Sequence, residues 1–276
     1  MELYTNVLFL DSFVFVTSYV YAKGYRLEMA KAPLREDIVY ALVQSCLGDK
    51  GVRQESVIHK NLFKPNIIII DPFCGSGTIA IEAAAYMMNL LPGRLRPSPL
   101  RGTTLHDPTL WEEIIRRRDQ QQGPRDLSDS SLRILASDRD EGAIQVAKRN
   151  AKRAGIDHLI EFQSFSVSDA FTSVLSLLDS LPEYEPRYVY VITNPPYGRR
   201  IGGGNTTNTR HNDLLPLYQT LGKYVNQIKD AKLGLIAHDI TLARQTAVPN
   251  MKVQFATIHG GLSVVCLVSE GPSRSE

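Results

Sequence analysis

The strongest constraint on the fold is the segment 67–78, which reads IIIIDPFCGSGT. Four consecutive isoleucines are too β-branched to favour a helix and too uniformly apolar for a half-exposed strand, so they predict a central strand buried on both faces. The proline after Asp71 ends that strand because it has no N–H for the ladder. Gly75 and Gly77 allow a tight turn against a ligand, and the alanine-rich run from Thr78 favours a helix. The segment therefore predicts a strand, a glycine turn and a helix whose N-terminus faces the bound group.

Two classes of ligand use such a unit. The run GSGTIA over 75–80 fits the G-x-G-x-x-G/A fingerprint of dinucleotide sites. Those sites need an acid about 20 residues further on, whereas here the next predicted strand, 132–137, brings its acid only at Asp138. An acid such as Asp71, directly after the first strand, suits a cofactor that carries an ammonium and a sulfonium group. The pattern favours S-adenosylmethionine, with Asp71 at its methionine end.

A second motif supports this choice. The run YVYVIT over 188–193 predicts another buried strand, and Asn194-Pro195-Pro196-Tyr197 follows it directly. An N-P-P-Y motif after a strand, downstream of the acid and the glycine turn, resembles the amino-methyltransferases, which methylate exocyclic amines of nucleobases. A turn without any chemical role is the alternative interpretation.

The residues of this motif match what methylation of a base amine requires. The lone pair of such an amine is delocalised into the ring, so the nitrogen must be pushed toward sp³ geometry and aligned with the methyl group. The side-chain carbonyl of Asn194 and the backbone carbonyl of Pro195 can accept its two N–H groups. Pro195 and Pro196 stiffen the turn, and Tyr197 can stack on an extruded base. This chemistry requires no metal and no covalent nucleophile.

Further motifs narrow the resemblance. KGYR (23–26), APLRE (32–36), DRD (138–140) and GGL (260–262) accompany the two central motifs in order. Over residues 24–268 the chain resembles the THUMP-associated guanine-N2 RNA methyltransferases, especially the bacterial large-subunit ribosomal RNA enzymes. The resemblance implies an α/β, class I (Rossmann-like) methyltransferase fold with a seven-stranded, mostly parallel sheet and a C-terminal antiparallel hairpin. It also implies S-adenosylmethionine as cofactor and RNA, ribosomal RNA above all, as substrate.

The predicted cofactor residues lie in three places along the chain. They are Asp71, Phe73, Gly75, Gly77, Thr78, Asp138, Asp169 and Ala170. Asp138 is expected to accept from both ribose hydroxyls; Asp140 is the alternative acceptor, unless it caps the following helix. Asp169 matches the family's acid after the third strand, which accepts from the adenine amine, although a capping role is also open. Cys74 is expected to contribute backbone and shape rather than thiol chemistry.

Charge and cysteine content limit the partners. The net charge is only +2, so any RNA surface must be a local patch. The arginines of the insertion 91–131 either contact RNA or belong to a solvent-exposed insertion that has no functional role. The glycine-rich, basic loop 198–210 is either a lid beside N-P-P-Y or a disordered connection. Three widely spaced cysteines without C-x-x-C argue against disulfides and zinc and indicate a reducing, cytoplasmic compartment.

The predicted organisation is a single methyltransferase domain over 23–270, preceded by a short β-rich segment (1–22) and followed by a frayed tail (271–276). Segment 1–22 could be the remnant of a preceding domain. Two short strands are favoured there over a membrane anchor, because no Lys or Arg precedes Lys23 and the apolar stretch is short. The family carries a THUMP RNA-binding domain at this place, whereas here only the short segment 1–22 precedes Lys23. RNA affinity is therefore expected to come from the local basic patches.

The remaining patterns predict alternating helices and strands. Helices are expected over 34–47, 108–121, 141–154, 171–181 and 214–228, and strands over 132–137, 162–167, 232–237, 253–258 and 262–268.

Three functions stay open on the sequence. The first is a guanine-N2 RNA methyltransferase. The second is an adenine-N6 methyltransferase on DNA or RNA, which the N-P-P-Y motif alone does not exclude. The third is a non-catalytic, cofactor-binding RNA-interaction protein, which would bind the cofactor and transfer no methyl group.

Overall fold

The computed structural model describes residues 23–28, 34–48, 66–98, 100–122, 131–182, 187–196 and 207–270. The strands are β1 (Asn66–Asp71), β2 (Ser131–Asp138), β3 (Ile160–Ser164), β4 (Arg187–Thr193), β5 (Lys232–Ala237), β6 (Met251–His259) and β7 (Leu262–Ser269). The helices are α1 (Glu36–Leu47), α2 (Thr78–Met87), α3 (Pro108–Gln122), α4 (Glu141–Ala154), α5 (Val167–Ser180), α6 (Thr207–Gln227) and α7 (Ile240–Arg244). Segment 1–22, Tyr197, loop residues 198–206 and the tail lie outside the described residues.

The seven strands form one sheet in the order β3-β2-β1-β4-β5-β7-β6. The pairs β1–β2, β1–β4, β2–β3 and β4–β5 are parallel, whereas β7 is antiparallel to both β5 and β6. The predicted mostly parallel sheet with a C-terminal hairpin is therefore confirmed. The chain leaves β1 toward β2 on one side and later returns to β4 on the other, which makes the boundary between β1 and β4 the switch point of the sheet.

The core confirms that the isoleucine strand is buried on both faces. Ile67 and Ile69 belong to a cluster with side chains of α1, α2 and α4. Ile68 and Ile70 belong to a second cluster with side chains of α5, α6 and α7. Successive residues of a strand point to opposite faces, so four isoleucines in a row supply two residues to each layer of helices.

Several predicted boundaries needed correction. The third strand spans Ile160–Ser164 rather than 162–167, and the next helix begins at Val167 rather than at 171. The cause is local, because Ser166 accepts a hydrogen bond from the amide of Asp169 and starts the helix early. The helix predicted from 214 begins at Thr207, inside the segment 198–210 that was predicted as a loop.

Other boundaries were predicted closely. Helix α4 spans the predicted residues 141–154 and ends at Gly155 in the left-handed conformation. Strand β5 also has its predicted bounds. In both elements the spacing of the apolar residues agrees with the residues that mark the ends. Sequence patterns predict the bounds of an element most accurately when these two signals agree.

Candidate active site

The candidate site lies at the carboxyl edge of the parallel strands. Strand β1 ends at Asp71, β2 ends at Asp138, and β4 ends at Thr193. Asp71 pairs in register with Ala136 of β2, and Ile70 pairs with Val191 of β4. Parallel strands in this register bring their last residues to one edge, and the switch point between β1 and β4 is where ligands bind in open α/β sheets.

Asp71 is a buried carboxylate with one oxygen uncommitted. Its side chain is only 1% exposed. One oxygen, Oδ1, accepts from the hydroxyl of Thr193 at 2.7 Å and from the backbone N–H of Phe73 at 3.3 Å. The other, Oδ2, is buried and has no donor among the described residues. Burial, with a smaller contribution from the nearby charge of Asp138, raises the pKa of Asp71 to about 7. A cationic group placed against Oδ2 would supply the missing partner.

Thr193 is a site residue that sequence analysis missed. It is fully buried at the end of β4 and links that strand to Asp71. The signal was present, since a hydroxyl at the end of an apolar strand must find a hydrogen-bond partner. Only the strand order shows that this partner is Asp71.

The glycine turn is tied to the end of β2. Cys74 donates its amide to the carbonyl of Ser137 at 2.9 Å, and Gly75 donates its amide to Asp138 Oδ2 at 3.0 Å. The amide of Gly77 closes the turn on the carbonyl of Cys74 at 2.8 Å. Asp138 therefore holds the glycine turn against the end of β2.

The two acids after β2 have different roles. Asp138 Oδ1 also accepts from the amide of Asp140, at 3.0 Å. A carboxylate has further acceptor positions, so these two hydrogen bonds leave Asp138 able to accept from ribose hydroxyls, and that contact stays a prediction. Asp140 instead caps α4, because its Oδ1 accepts from the amides of Gly142 and Ala143. The capping interpretation of Asp140 is confirmed.

The two glycines of the turn lie in different environments. Both have positive φ, 51° at Gly75 and 82° at Gly77. A Cβ added to Gly75 would meet no heavy atom within 4 Å. A Cβ added to Gly77 would lie 3.0 Å from the Cβ of Ala147 in α4. Gly75 thus borders open space suited to a ligand, whereas Gly77 lets α2 pack closely on α4.

This difference leads to a paired prediction. Gly77→Ala is expected to lower the free energy of unfolding by more than the ~1–2 kcal/mol that a left-handed alanine costs, because the added methyl group also collides with α4. Gly75→Ala should lower it by about that backbone cost alone and should mainly reduce cofactor binding. Urea unfolding and calorimetric titration of both variants test this. Equal losses of stability would contradict the assigned environments.

Asn194 presents an amide oxygen without a donor. It directly follows β4 and is half-buried, and its Oδ1 is screened from solvent with no hydrogen-bond partner in the described chain. Pro195 is buried and Pro196 is exposed. Tyr197 is not among the described residues, so its stacking role stays a prediction. A buried acceptor without a donor is costly unless a ligand completes it.

The remaining predicted cofactor residues lie at the start of α5 and α2. Asp169 is exposed in the first turn of α5, where its Oδ2 accepts from the hydroxyl of Ser166 at 2.7 Å. This contact is part of the helix cap, and a role toward adenine stays a prediction. Ala170 is buried and donates its amide to the carbonyl of Ser166. Thr78 is buried, with its hydroxyl 3.4 Å from that of Ser76.

A buried ionic cluster below the site was also missed. Glu82 of α2 is 1% exposed and bonds to Lys23 and to the hydroxyl of Tyr25. Glu36 of α1 is equally buried, accepts from the amide of Lys23 and pairs with Arg26. Burial raises the pKa of both glutamates. The K-G-Y-R segment is therefore anchored by two helix carboxylates, one from L-R-E and one from I-E-A-A.

The same segment is tied to the glycine turn. Asn150 of α4 is fully buried, and its amide nitrogen donates to the carbonyls of Ser76 and Glu28 at 3.1 and 3.2 Å. The carboxylate of Glu28 pairs with Arg149 and Arg153. Segment 23–28 therefore straps α1, α2 and α4 together behind the turn.

The described residues offer little support for thiol chemistry, metal binding or membrane insertion. All three cysteines are buried, and none of them forms a disulfide within the described part of the chain. Burial raises the pKa of the Cys74 thiol well above its usual value, so the thiol is protonated and not a nucleophile. Within the described ranges there is no group of three or more His, Cys, Asp or Glu that could hold a metal ion. Among the helices described, none is long and apolar enough to cross a membrane.

Solved structures share this architecture. A protein described as a possible methylase from Clostridium difficile 630 is 25% identical, with a TM-score of 0.64 over 93% of this chain and 57% of that chain. SMU.472, complexed with SAH, is 22% identical, with a TM-score of 0.62 over 93% of this chain and 57% of that one. Together with the strand order, the acids and the glycine turn, these structures define the fold as a class I methyltransferase fold.

Sequence comparison identifies the family. The chain belongs to the RMKL-like methyltransferase domain family, which matches residues 23–247. The Ribosomal RNA large subunit methyltransferase K/L of Psychromonas ingrahamii is 33% identical over 216 residues, 78% of this chain and 24% of that protein. Its counterpart from Shewanella frigidimarina is 32% identical over 244 residues, 87% of this chain and 29% of that protein. The chain spans about a quarter of the length of these curated relatives.

Proposed function

We propose that this chain transfers a methyl group from S-adenosylmethionine to an exocyclic base amine of RNA, and that the base is guanine N2 of ribosomal RNA. The observation that carries the proposal is the pair of uncommitted buried acceptors, Asp71 Oδ2 and Asn194 Oδ1, on neighbouring strands at the switch point. One acceptor suits a cofactor cation and the other suits the amine that is methylated.

The chain's own groups fit S-adenosylmethionine. Asp71 Oδ2 would accept from the ammonium of its methionine moiety, Asp138 from its ribose, and the open side of Gly75 would admit it to bare backbone. When bound, the cofactor supplies an electrophilic methyl group on a sulfonium. A structure of the same fold, SMU.472, is complexed with SAH.

The role of Asn194 is to accept from the target amine and position it. An N–H donated to Asn194 Oδ1, and a second to the carbonyl of Pro195, would favour a pyramidal nitrogen and orient its lone pair. Both carbonyls follow β4 without a break, and the two prolines restrict the backbone between them. No residue is asked to act as a covalent nucleophile.

Ribosomal RNA as the substrate class is supported by the relatives' names, Ribosomal RNA large subunit methyltransferase K/L. Guanine N2 is the finer part of the proposal and depends on the ordered motifs from KGYR to GGL. Adenine N6 is the competing target, since N-P-P-Y serves both amines.

The test is nucleoside mass analysis after incubation of the chain with S-adenosylmethionine and protein-free ribosomal RNA. We expect N2-methylguanosine, and more of it than from assembled ribosomes, because a target base must be extruded from its stack. N6-methyladenine in RNA or DNA would replace the guanine assignment. Cofactor binding without any methylated nucleoside would refute catalysis by this chain.

A further inference from the structure

The insertion between α2 and β2 builds a basic groove outside the methyl-transfer site. The groove is wide open to solvent and has a volume of about 590 Å³. Its described lining consists of Arg94, Arg96, Pro97, Trp111, Glu112, Ile115, Arg116 and Gln120. Three arginines face one glutamate, so the lining is net positive and suits a polyanion.

Helix α3 forms one wall of the groove. Trp111 and Ile115 are four residues apart and so lie on the same side of the helix, and Glu112, Arg116 and Gln120 form the adjacent row. No described side chain of α3 belongs to either core cluster, and Leu110 and Ile114 are 54% and 44% exposed. Helices are usually stabilised by burying one face. The residues of α3 are therefore available for contacts with a partner rather than for the core.

The other wall is held in place by the body of the protein. Arg94 donates to the carbonyl of Ala154 at the end of α4. Arg96 folds back over Gly93, where an added Cβ would come within 2.7 Å of its Nε.

Arg116, on the helix side, is exposed, and its guanidinium is 3.9 Å from Glu113. Glu113 instead bonds Arg117 closely, with Nε at 2.9 Å. The groove thus brings arginines from both of its walls together with one tryptophan.

We propose that this groove binds single-stranded RNA, with arginines on phosphates and Trp111 stacked on a base. A positively charged groove that also carries an aromatic side chain is the combination that binds single strands with little sequence preference. The one acid, Glu112, can accept from a base amine. This inference rests on the proposed function for one point only, which is that the bound polymer is RNA. The groove would supply affinity for the RNA that the separate methyl-transfer site modifies.

The groove lies toward the far ends of the helices that begin at the methyl-transfer site, because Arg94 in its wall bonds to Ala154, the last residue of α4. Helix α2 starts at the glycine turn and runs ten residues to Met87, just before the insertion. At 1.5 Å per residue that is about 15 Å. The bound strand must therefore extend past the target nucleotide, and the groove acts on RNA affinity rather than on the chemical step.

The chain contains a single tryptophan, so Trp111 fluorescence reports on the groove directly. We expect a single-stranded RNA oligonucleotide to quench this emission, with an apparent affinity that falls steeply with salt. Arg96→Gln and Arg116→Gln should each weaken binding and reduce the salt slope by about 0.7, the value for one phosphate contact on a single strand. Arg118→Gln is the matched control, because it removes an equal charge from the same helix outside the groove lining.

Methyl transfer provides the second readout. The groove variants should raise the KM for RNA and leave kcat and S-adenosylmethionine binding unchanged. RNA binding that is detected by fluorescence anisotropy of a labelled oligonucleotide but does not change Trp111 emission would overturn the proposal. Equal losses of RNA affinity in all three arginine variants would overturn it too. A failure of the proposed function would look different, because cofactor binding or methyl transfer would then be absent from the unmodified chain.

Discussion

Asn194→Ala is expected to reduce methyl transfer by about a hundredfold to a thousandfold, the range seen when one positioned hydrogen-bonding group is removed from an active site. Affinity for S-adenosylmethionine should be nearly unchanged. The reason is that Asn194 Oδ1 would contact the base amine, and this contact strengthens as the nitrogen becomes pyramidal in the transition state. Single-turnover methylation and calorimetric titration of the cofactor measure the two effects separately.

The matched control is Asn226→Ala. Asn226 is an exposed residue of α6 whose amide donates to the carbonyl of Ala247, so its loss should leave both quantities unchanged. If Asn194→Ala lost cofactor binding as strongly as turnover, the N-P-P turn would be a structural support and the role assigned to Asn194 would be wrong.

Asp71→Asn is expected to remove a large pH dependence of stability. The pKa of Asp71 is raised from 3.8 to about 7 in the folded protein. Between these values the folded state keeps a proton that the unfolded state has released, so the stability is full below about pH 4 and falls as pH rises to about 7. A shift of this size corresponds to about 4 kcal/mol. Urea unfolding of both proteins from pH 4 to pH 8 measures the difference.

The control for this experiment is Asp179→Asn, an exposed position on α5 that should keep the wild-type slope. A wild-type slope identical to that of Asp71→Asn would show that Asp71 is not held protonated by burial.

Cofactor binding should oppose the protonation of Asp71. A cofactor ammonium against Oδ2 favours the carboxylate, so binding near pH 6 should release a proton and the affinity should fall as pH drops below about 7. Calorimetry in buffers of different ionisation enthalpy detects that proton. Binding without proton release would place the ammonium elsewhere.

Local signals were sufficient for much of the fold. The isoleucine run specified a strand buried on both faces, and its bounding Asp-Pro placed the acid at the strand end. Asp140 and Gly155 delimited α4 because capping interactions involve only neighbouring residues. A local contact also explains the error at the start of α5. The hydrophobic pattern predicted a start at 171, but the hydroxyl of Ser166 caps the helix and starts it at Val167.

The site itself needed more than local signals. The acid, the glycine turn and N-P-P are visible in the sequence, and the family resemblance orders them. The hydrogen bond between Thr193 and Asp71, however, joins residues 122 positions apart. It exists because β4 lies beside β1 in the sheet, and a residue's own propensities carry no information about which strand becomes its neighbour.

The sequence by itself determined the strand–turn–helix unit, the alternation of helices and strands, and the chemical types of the candidate groups, because each depends on residues close together in the chain. Only the tertiary structure decided that Gly75 borders open space while Gly77 packs on Ala147. It also decided that Arg94 and Arg116 share one groove. The physical reason is the same in both cases. Burial, close contact and charge proximity are set by elements that meet in space after distant segments have folded together.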